Sequence, residues 1–318
     1  MNKLIQKLAI NPIEWAQLWQ EAFLQANNVA LKRKLLLYSH SNLFNPSQWQ
    51  TILTTIRQQI SVLLPTINAK MYLFAFGEAT TGYKASFGLA VAAILAATGQ
   101  KVVITGEKSY SNQSNIADIL PIKLLNCAKT PATFSQRLTN HQVAYLNPAD
   151  WVTGWQDWDI LRVEWPQERV FNQLQPLIFA DMSPIFALDN WATARFYQSL
   201  GINGNYLYDK SGTGWISLRH DWQWVNATGT NNYSINEQPF LSQEVSFFSQ
   251  QAEKQTATEA FSHLRRLLSN EISTQERDLL LVNAAFLAMQ MSERWNWTGA
   301  IAEAEAALSS GRAQIAIS

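Results

Sequence analysis

The sequence predicts an α/β protein: a small N-terminal helical domain followed by a large α/β domain on a mostly parallel central sheet. Three observations carry this. Helix-start signals and helical periodicity fill the first 65 residues. From residue 69, short apolar runs alternate with helical stretches, as when helices cross over a parallel sheet. The 318 residues are 47% hydrophobic, enough for one large domain or two smaller ones with a sizeable core. The expected division is a helical domain over 1–66, joined by helices around 165–200, and an α/β domain over 67–318.

Asn11-Pro12-Ile13-Glu14 reads as a helix start, with Asn as cap, Pro where no N–H is needed and Glu reaching back. Ile13, Ala16, Leu18, Trp19, Ala22 and Phe23 then follow helical spacing. Asn45-Pro46-Ser47-Gln48 repeats the signal, Ile52, Leu53, Ile56, Ile60 and Leu63 continue it, and Pro65 ends the segment. Asn147-Pro148-Ala149-Asp150 is a third copy. Shared capping chemistry explains the three better than an internal repeat, because nothing around them repeats. Met71–Phe76 reads as a strand, Gly77–Ser86 as a loop, and Phe87–Ala97 as a buried helix closed by Gly99. Lys101–Thr105, Val143–Leu146 and Tyr206–Tyr208 read as strands, with a helix near Asn115–Leu120. Helices are expected over Glu276–Met291 and Trp297–Ser310, and a last strand over Gln314–Ile317.

Composition removes several functions. Lys+Arg and Asp+Glu both number 24, so the net charge is zero. A disordered chain needs low hydrophobicity and high net charge, and a wholly basic nucleic-acid binder needs an excess of cations. The single cysteine, Cys127, excludes an intrachain disulfide and a multi-cysteine metal site and fits a reducing cytoplasm. It reads as a small buried hydrophobe rather than a nucleophile. The first residues do not read as a signal peptide, because Gln6, Lys7, Asn11 and Pro12 interrupt any apolar stretch. The longest apolar run, Leu89–Ala97, is far short of the roughly 20 residues that cross a membrane. A cytoplasmic protein is expected. Five of the 13 tryptophans lie between Trp151 and Trp191, a cluster read as packing.

Three motifs fail. Thr105-Gly106-Glu107-Lys108-Ser109 lacks the upstream glycine of a phosphate-binding loop and has Glu107 between the glycine and the lysine. His40, His141, His220 and His263 show no metal-ligand spacing. His220-Asp221 has no nucleophile elbow to serve and reads as a surface turn.

One stretch is specific. Gly99–Leu120, GQKVVITGEKSYSNQSNIADIL, resembles a signature of the anthranilate phosphoribosyltransferases of glycosyltransferase family 3. Gly99, Gly106, Ser109, Ser111, Ser114, Ala117 and Asp118 fall in register, with Lys108 in the place of a basic residue. Val170–Leu177 resembles the family's "Val/Ile-Phe-Asn-Leu-Leu-Gly-Pro-Leu" run, and counting back puts Arg162 where the family binds anthranilate. Ala194–Ser217, Arg277–Ala285 and Ser310-Gly311-Arg312-Ala313 are similar to later family segments. The resemblance implies the fold shared by anthranilate phosphoribosyltransferases and nucleoside phosphorylases, and a homodimer joined through the helical domain.

The departures fall on the family's chemistry. Its Gly-Thr-Gly-Gly-Asp loop for the pyrophosphate of phosphoribosyl pyrophosphate (PRPP) is here Phe76-Gly77-Glu78-Ala79-Thr80. Fewer glycines restrict backbone approach to an anion, and a carboxylate repels it. The Asn-x-Ser-Thr helix start becomes Ser86-Phe87-Gly88-Leu89, and Lys-His-Gly-Asn-Arg becomes Ile104-Thr105-Gly106-Glu107-Lys108. The Asp-Glu pair that holds magnesium becomes Gly214-Trp215, so no cofactor is expected.

The candidate ligand-binding residues are Arg162, Lys108, Ser109, Ser111, Ser114, Gly77 and Asn172. Arg162 offers a two-point fork for a carboxylate or phosphate, or a structural ion pair with Asp157, Asp159 or Glu164. The serine-rich turn reads as an anion site or as helix capping, and Asn172 as cleft lining or a backbone partner. Glu78 and Glu107 read as solvated loop carboxylates or a new acid/base pair. Lys32-Arg33-Lys34 and Arg265-Arg266 read as solvated faces or together as a basic patch. Trp15, Trp19 and Phe23 read as the protein's own core or as a dimer interface.

Three functions follow: a divergent family member that does not work as an anthranilate phosphoribosyltransferase and binds a small anionic ligand; a glycosyl or phosphoribosyl transferase with another donor or acceptor; and a nucleic-acid-binding paralogue, which the zero net charge disfavours.

Overall fold

The computed structural model describes residues 12–25, 28–40, 46–58, 71–75, 82–106, 116–121, 129–152, 155, 184–188, 195, 197–202, 204–209, 214–218, 220–226, 229–234 and 256–318. Helices α1 (Pro12–Leu24), α2 (Val29–His40) and α3 (Pro46–Gln58) come first. α1 packs on α2 and α3, and Trp19, Ala22, Leu35, Ile52 and Ile56 are buried. The Gln50 side-chain amide of α3 donates to the Leu200 carbonyl at 3.2 Å, tying α3 to the turn before β5.

One seven-stranded sheet follows, in the order β3-β2-β1-β4-β5-β6-β7. β1 (Met71–Ala75), β2 (Lys101–Thr105), β3 (Val143–Leu146), β4 (Pro184–Leu188) and β5 (Asn205–Asp209) are parallel. β6 (Trp222–Asn226) and β7 (Gly229–Tyr233) add an antiparallel edge. β7 presents Thr230, Asn231 and Asn232 to solvent, a polar edge that discourages further pairing. Trp222 lies flat against Tyr233 (5.6 Å, 6°) and edge-on to Phe286 (5.9 Å, 90°), which seals this end of the core.

The helices are α4 (Gly82–Ala97), α5 (Ile116–Ile119), α6 (Pro131–His141), α7 (Pro148–Trp151), α8 (Ala257–Leu268), α9 (Thr274–Met291), α10 (Trp297–Ser309) and α11 (Arg312–Ile317). α4 is apolar all round, and such a helix has no face for water. Residues 85–96 are all buried, between β2 and a layer of α8, α9, α10 and α11. Its exit is built by Gly99 at φ 91°, a conformation that glycine adopts without strain. Gly99 N–H donates to Ala96 O (3.0 Å) and Gln100 N–H to Leu95 O (3.1 Å), closing the last turn. Arg312 binds the Ala97 carbonyl (3.1 Å) and Glu303 (2.9 Å), pinning the start of α11 to that end.

The α/β reading, the mostly parallel sheet, the caps at Gly99 and Asn147, and the packing role of Trp151 and Trp155 agree with the structure. Asn147 accepts from Ala149 N–H at 3.1 Å, and Trp151 sits edge-on to Phe134 at 5.9 Å. Two elements differ. Gln314–Ile317 belongs to helix α11, not a strand, because Ala313, Ala316 and Ile317 bury at helical spacing. Residues 82–86, expected in a loop, form the first turn of α4, where Tyr83, Ala85 and Ser86 are buried. Among the described residues, no helix is long and apolar enough to cross a membrane.

Ile94 is fully buried in α4. Ile94→Ala is expected to lower unfolding free energy by about 2–5 kcal/mol, measured by denaturant titration.

Candidate functional site

In the sheet, β1, β2 and β3 run outward in one direction, and β4 and β5 in the other. The chain order therefore reverses between β1 and β4, and an open parallel sheet binds ligands outside the carboxyl ends of its strands at such a point. α4 starts beside it, on the segment leaving the carboxyl end of β1.

Several contacts fix this end of the sheet. Tyr145 Oη donates to the Gly106 carbonyl at 2.5 Å, holding the exit from β2. Thr105 Oγ1 donates to Leu146 O at 3.0 Å. Buried Asp209, at the end of β5, accepts from Ser217 N–H and Ser217 Oγ, both at 3.0 Å. Asn283 of α9 accepts from Ile216 N–H (2.9 Å) and donates to Ile216 O (3.0 Å). Residues 214–218 are thus clamped from β5 and from α9.

Trp215 lies within this clamped segment and is 2% exposed. Its ring packs edge-on against Phe87 of α4, with centroids 5.6 Å apart at 69°. Gly214 beside it has φ 76°, a left-handed conformation costly for a residue with a side chain. These are the two positions where the resemblance places magnesium carboxylates. An indole in the core and a glycine offer no hard oxygen ligand, so the residues here do not fit that ion. Asp209, the carboxylate before them on β5, is engaged by Ser217. Among the described residues, no group of three or more His, Cys, Asp or Glu is placed to hold a metal.

A polar cluster lies under the amino end of α4. Ser86 Oγ donates to the Tyr83 carbonyl (2.9 Å) and lies 2.7 Å from Nδ1 of His263 on α8. Nε2 of that ring is 3.5 Å from Glu276 Oε1 at the start of α9. Tyr83 covers the imidazole with ring centroids 4.1 Å apart. Burial alone would raise the Glu276 carboxyl, but hydrogen bonds from His263 and Ser273 and the charge of His263 hold it below the usual carboxylate range. Burial, then the Glu276 charge, push the Tyr83 phenol far up, so it stays neutral.

The sequence-predicted residues Gly77, Lys108, Ser109, Ser111, Ser114, Arg162 and Asn172 lie outside the described residues, as do Glu78, Glu107 and Cys127. The chain enters the segments holding Gly77, Lys108, Ser109, Ser111 and Ser114 from the carboxyl ends of β1 and β2. Lys32, read as part of a solvated basic face, is 1% exposed. Its long stem packs among the helices, so the triplet is not a free basic stripe. Arg33, Arg265 and Arg266 are exposed. Trp19 is fully buried in the protein's own interior; the side chains of Trp15, Phe23 and Lys34 are outside the described set. His220 is exposed in a bend, as a surface turn requires.

Sequence reasoning missed the Ser86–His263–Glu276 cluster. One signal was present: His263 shares a helical face with Ala260, Leu264 and Leu267, all buried. A histidine on an apolar face needs a partner, and the sequence does not say which helix supplies it.

The family model described as "Glycosyl transferase family, a/b domain" matches residues 79–314, most of the chain. The chain belongs to this family. No curated protein sequence matches it. Among solved structures it is similar to anthranilate phosphoribosyltransferase from Thermus thermophilus, with 17% identity, TM-score 0.75, and 98% of this chain and 97% of that one covered. It is also similar to the Saccharomyces cerevisiae enzyme in complex with PRPP and Mg, with 16% identity, TM-score 0.70, and 100% and 96% covered. At such identities the likeness is one of fold.

Two outcomes check this geometry. Trp215→Ala is expected to cost about 3–5 kcal/mol of stability, read by chemical denaturation. Glu276 has a depressed carboxyl, so its contribution is present above the usual carboxylate range and disappears as pH falls through its folded value. The melting-temperature gap between wild type and Glu276→Gln should therefore close as pH is lowered from about 5 to about 3.

Proposed function

We propose that this family member has diverged from anthranilate phosphoribosyl transfer. Its crevice, at the carboxyl ends of β1, β2 and β4, takes a small anionic ligand without magnesium. The observation that carries the reading is Trp215, packed against Phe87 where the resemblance calls for a metal carboxylate. Transfer from PRPP needs the departing pyrophosphate neutralised, and electrostatic stabilisation of that kind is often the largest catalytic effect. The proposed ligand groups are the Arg162 fork, Lys108, Ser109, Ser111 and Ser114, the backbone at Gly77, and Asn172. The protein is read as a cytoplasmic homodimer joined through the helical domain over 1–66.

A second reading keeps transferase chemistry with another donor or acceptor, supported by the extent of the family match. It stays within the same crevice and uses the same anion-binding groups. Nucleic-acid binding loses support, because Lys32 is buried and cannot join a surface patch with Arg265 and Arg266.

Calorimetric titration of PRPP into wild type and Arg162→Ala, with and without magnesium, tests the proposal. No magnesium-dependent binding is expected at millimolar PRPP. Micromolar binding that requires magnesium, together with transfer to anthranilate that Arg162→Ala abolishes, would overturn it.

A further inference from the structure

We propose that Ser86, His263 and Glu276 form a proton-sensitive latch. It holds the first turns of α4 against α8 and α9 while the imidazole is protonated, and so couples the ligand crevice to pH. The link to the crevice rests on the functional reading above; the latch itself rests on geometry alone.

The three residues come from three helices and are 0%, 7% and 7% exposed, packed among the apolar side chains of α4, α8 and α9. Buried polar groups are costly unless every one is matched, and breaking one partner of such a set is more costly still. Ser86 Oγ donates to the Tyr83 carbonyl at 2.9 Å. A protonated His263 ring donates from both nitrogens, Nδ1 toward Ser86 Oγ at 2.7 Å and Nε2 toward the Glu276 carboxylate at 3.5 Å. Loss of one proton leaves the ring a single N–H and removes the charge that attracts Glu276.

The carboxylate is held in place. Its other oxygen, Oε2, accepts from Ser273 N–H (3.1 Å) and Ser273 Oγ (3.0 Å) and closes the cap of α9. The loosening falls on the contact between α8 and the start of α4, where Tyr83 and Ser86 hold the ring.

α9 carries Arg277, which pairs with Glu305, and Asp278 next to it. α4 contributes Lys84 beside the neutral Tyr83, and α8 itself carries Glu259, Arg265 and Arg266. Glu259 serves the α8 cap, and Arg266 donates to Glu271 O. On the other helices packed against α8, Asp118 lies on α5 and Arg312 on α11. Arg312 is committed to Glu303 and Ala97.

The test is hydrogen exchange by mass spectrometry on the full chain, read as protection factors over residues 82–90, with PRPP titrated calorimetrically at each pH. His263→Asn keeps a donor toward Ser86 but neither titrates nor pairs with Glu276. In wild type, protection should fall by about tenfold as pH rises from about 6 to about 8.5, one ion pair's worth. In His263→Asn and in Glu276→Gln it should be pH-invariant and low. If His263→Asn does not fold, Glu276→Gln alone carries the comparison, since its Ser273 contacts survive. Identical pH profiles in wild type and variants, or a flat wild-type profile, overturn the latch. A pH-dependent latch together with micromolar, magnesium-dependent PRPP binding would sink the functional reading and leave the latch standing; a flat profile with no such binding would do the reverse.

Discussion

The complete burial of α4 is the constraint on which the rest of the structure depends. A helix with no polar face cannot form beside water. It needs β2 on one side and the α8–α11 layer on the other before it is stable. That requirement explains why residues 257–317 return over α4 as helices instead of adding strands. It also explains why both ends of α4 are tied: Gly99 and Arg312 close one, while Ser86, His263 and Glu276 hold the other.

The amino end of α4 follows β1 in the chain, the strand at which the order of the sheet reverses. Relatives of this fold include an enzyme solved with PRPP and Mg. In this chain the same end is apolar and internally satisfied. Phe87 and Trp215 meet there, Asn283 grips the backbone beside Trp215, and Ser86 turns to His263. The edge-on contact of Phe87 with Trp215 joins segments 86–89 and 214–218 into one packed unit.

Much of the site's architecture was legible in the chain, for identifiable reasons. Strand-helix alternation after residue 69 gave the α/β class, and the signature from Gly99 to Asp118 placed β2 and its exit. Gly214 and Trp215 were legible as residues standing where the resemblance places a metal pair. The meeting of Trp215 with Phe87 was not, because those residues stand on distant segments joined only by the sheet. The first turn of α4 was misread as loop: Gly82 and Tyr83 carry weak helical preference, and burial against α8 decides the matter. The final helix was misread as a strand because a short apolar run has no period of its own.

The sequence by itself determined the class of fold, the caps at Gly99 and Asn147, and which residue types stand where the resemblance places the family's metal pair. Those follow from local chemistry: periodicity, the hydrogen-bonding reach of Asn, Ser and Glu, and residue identity in register. Only the tertiary structure decided that Lys32 is buried, that Trp215 fills space against Phe87, and that His263 lies between Ser86 and Glu276. Each is a relation between residues far apart along the chain. Such pairs are set by how helices stack on the sheet, which no window of sequence contains.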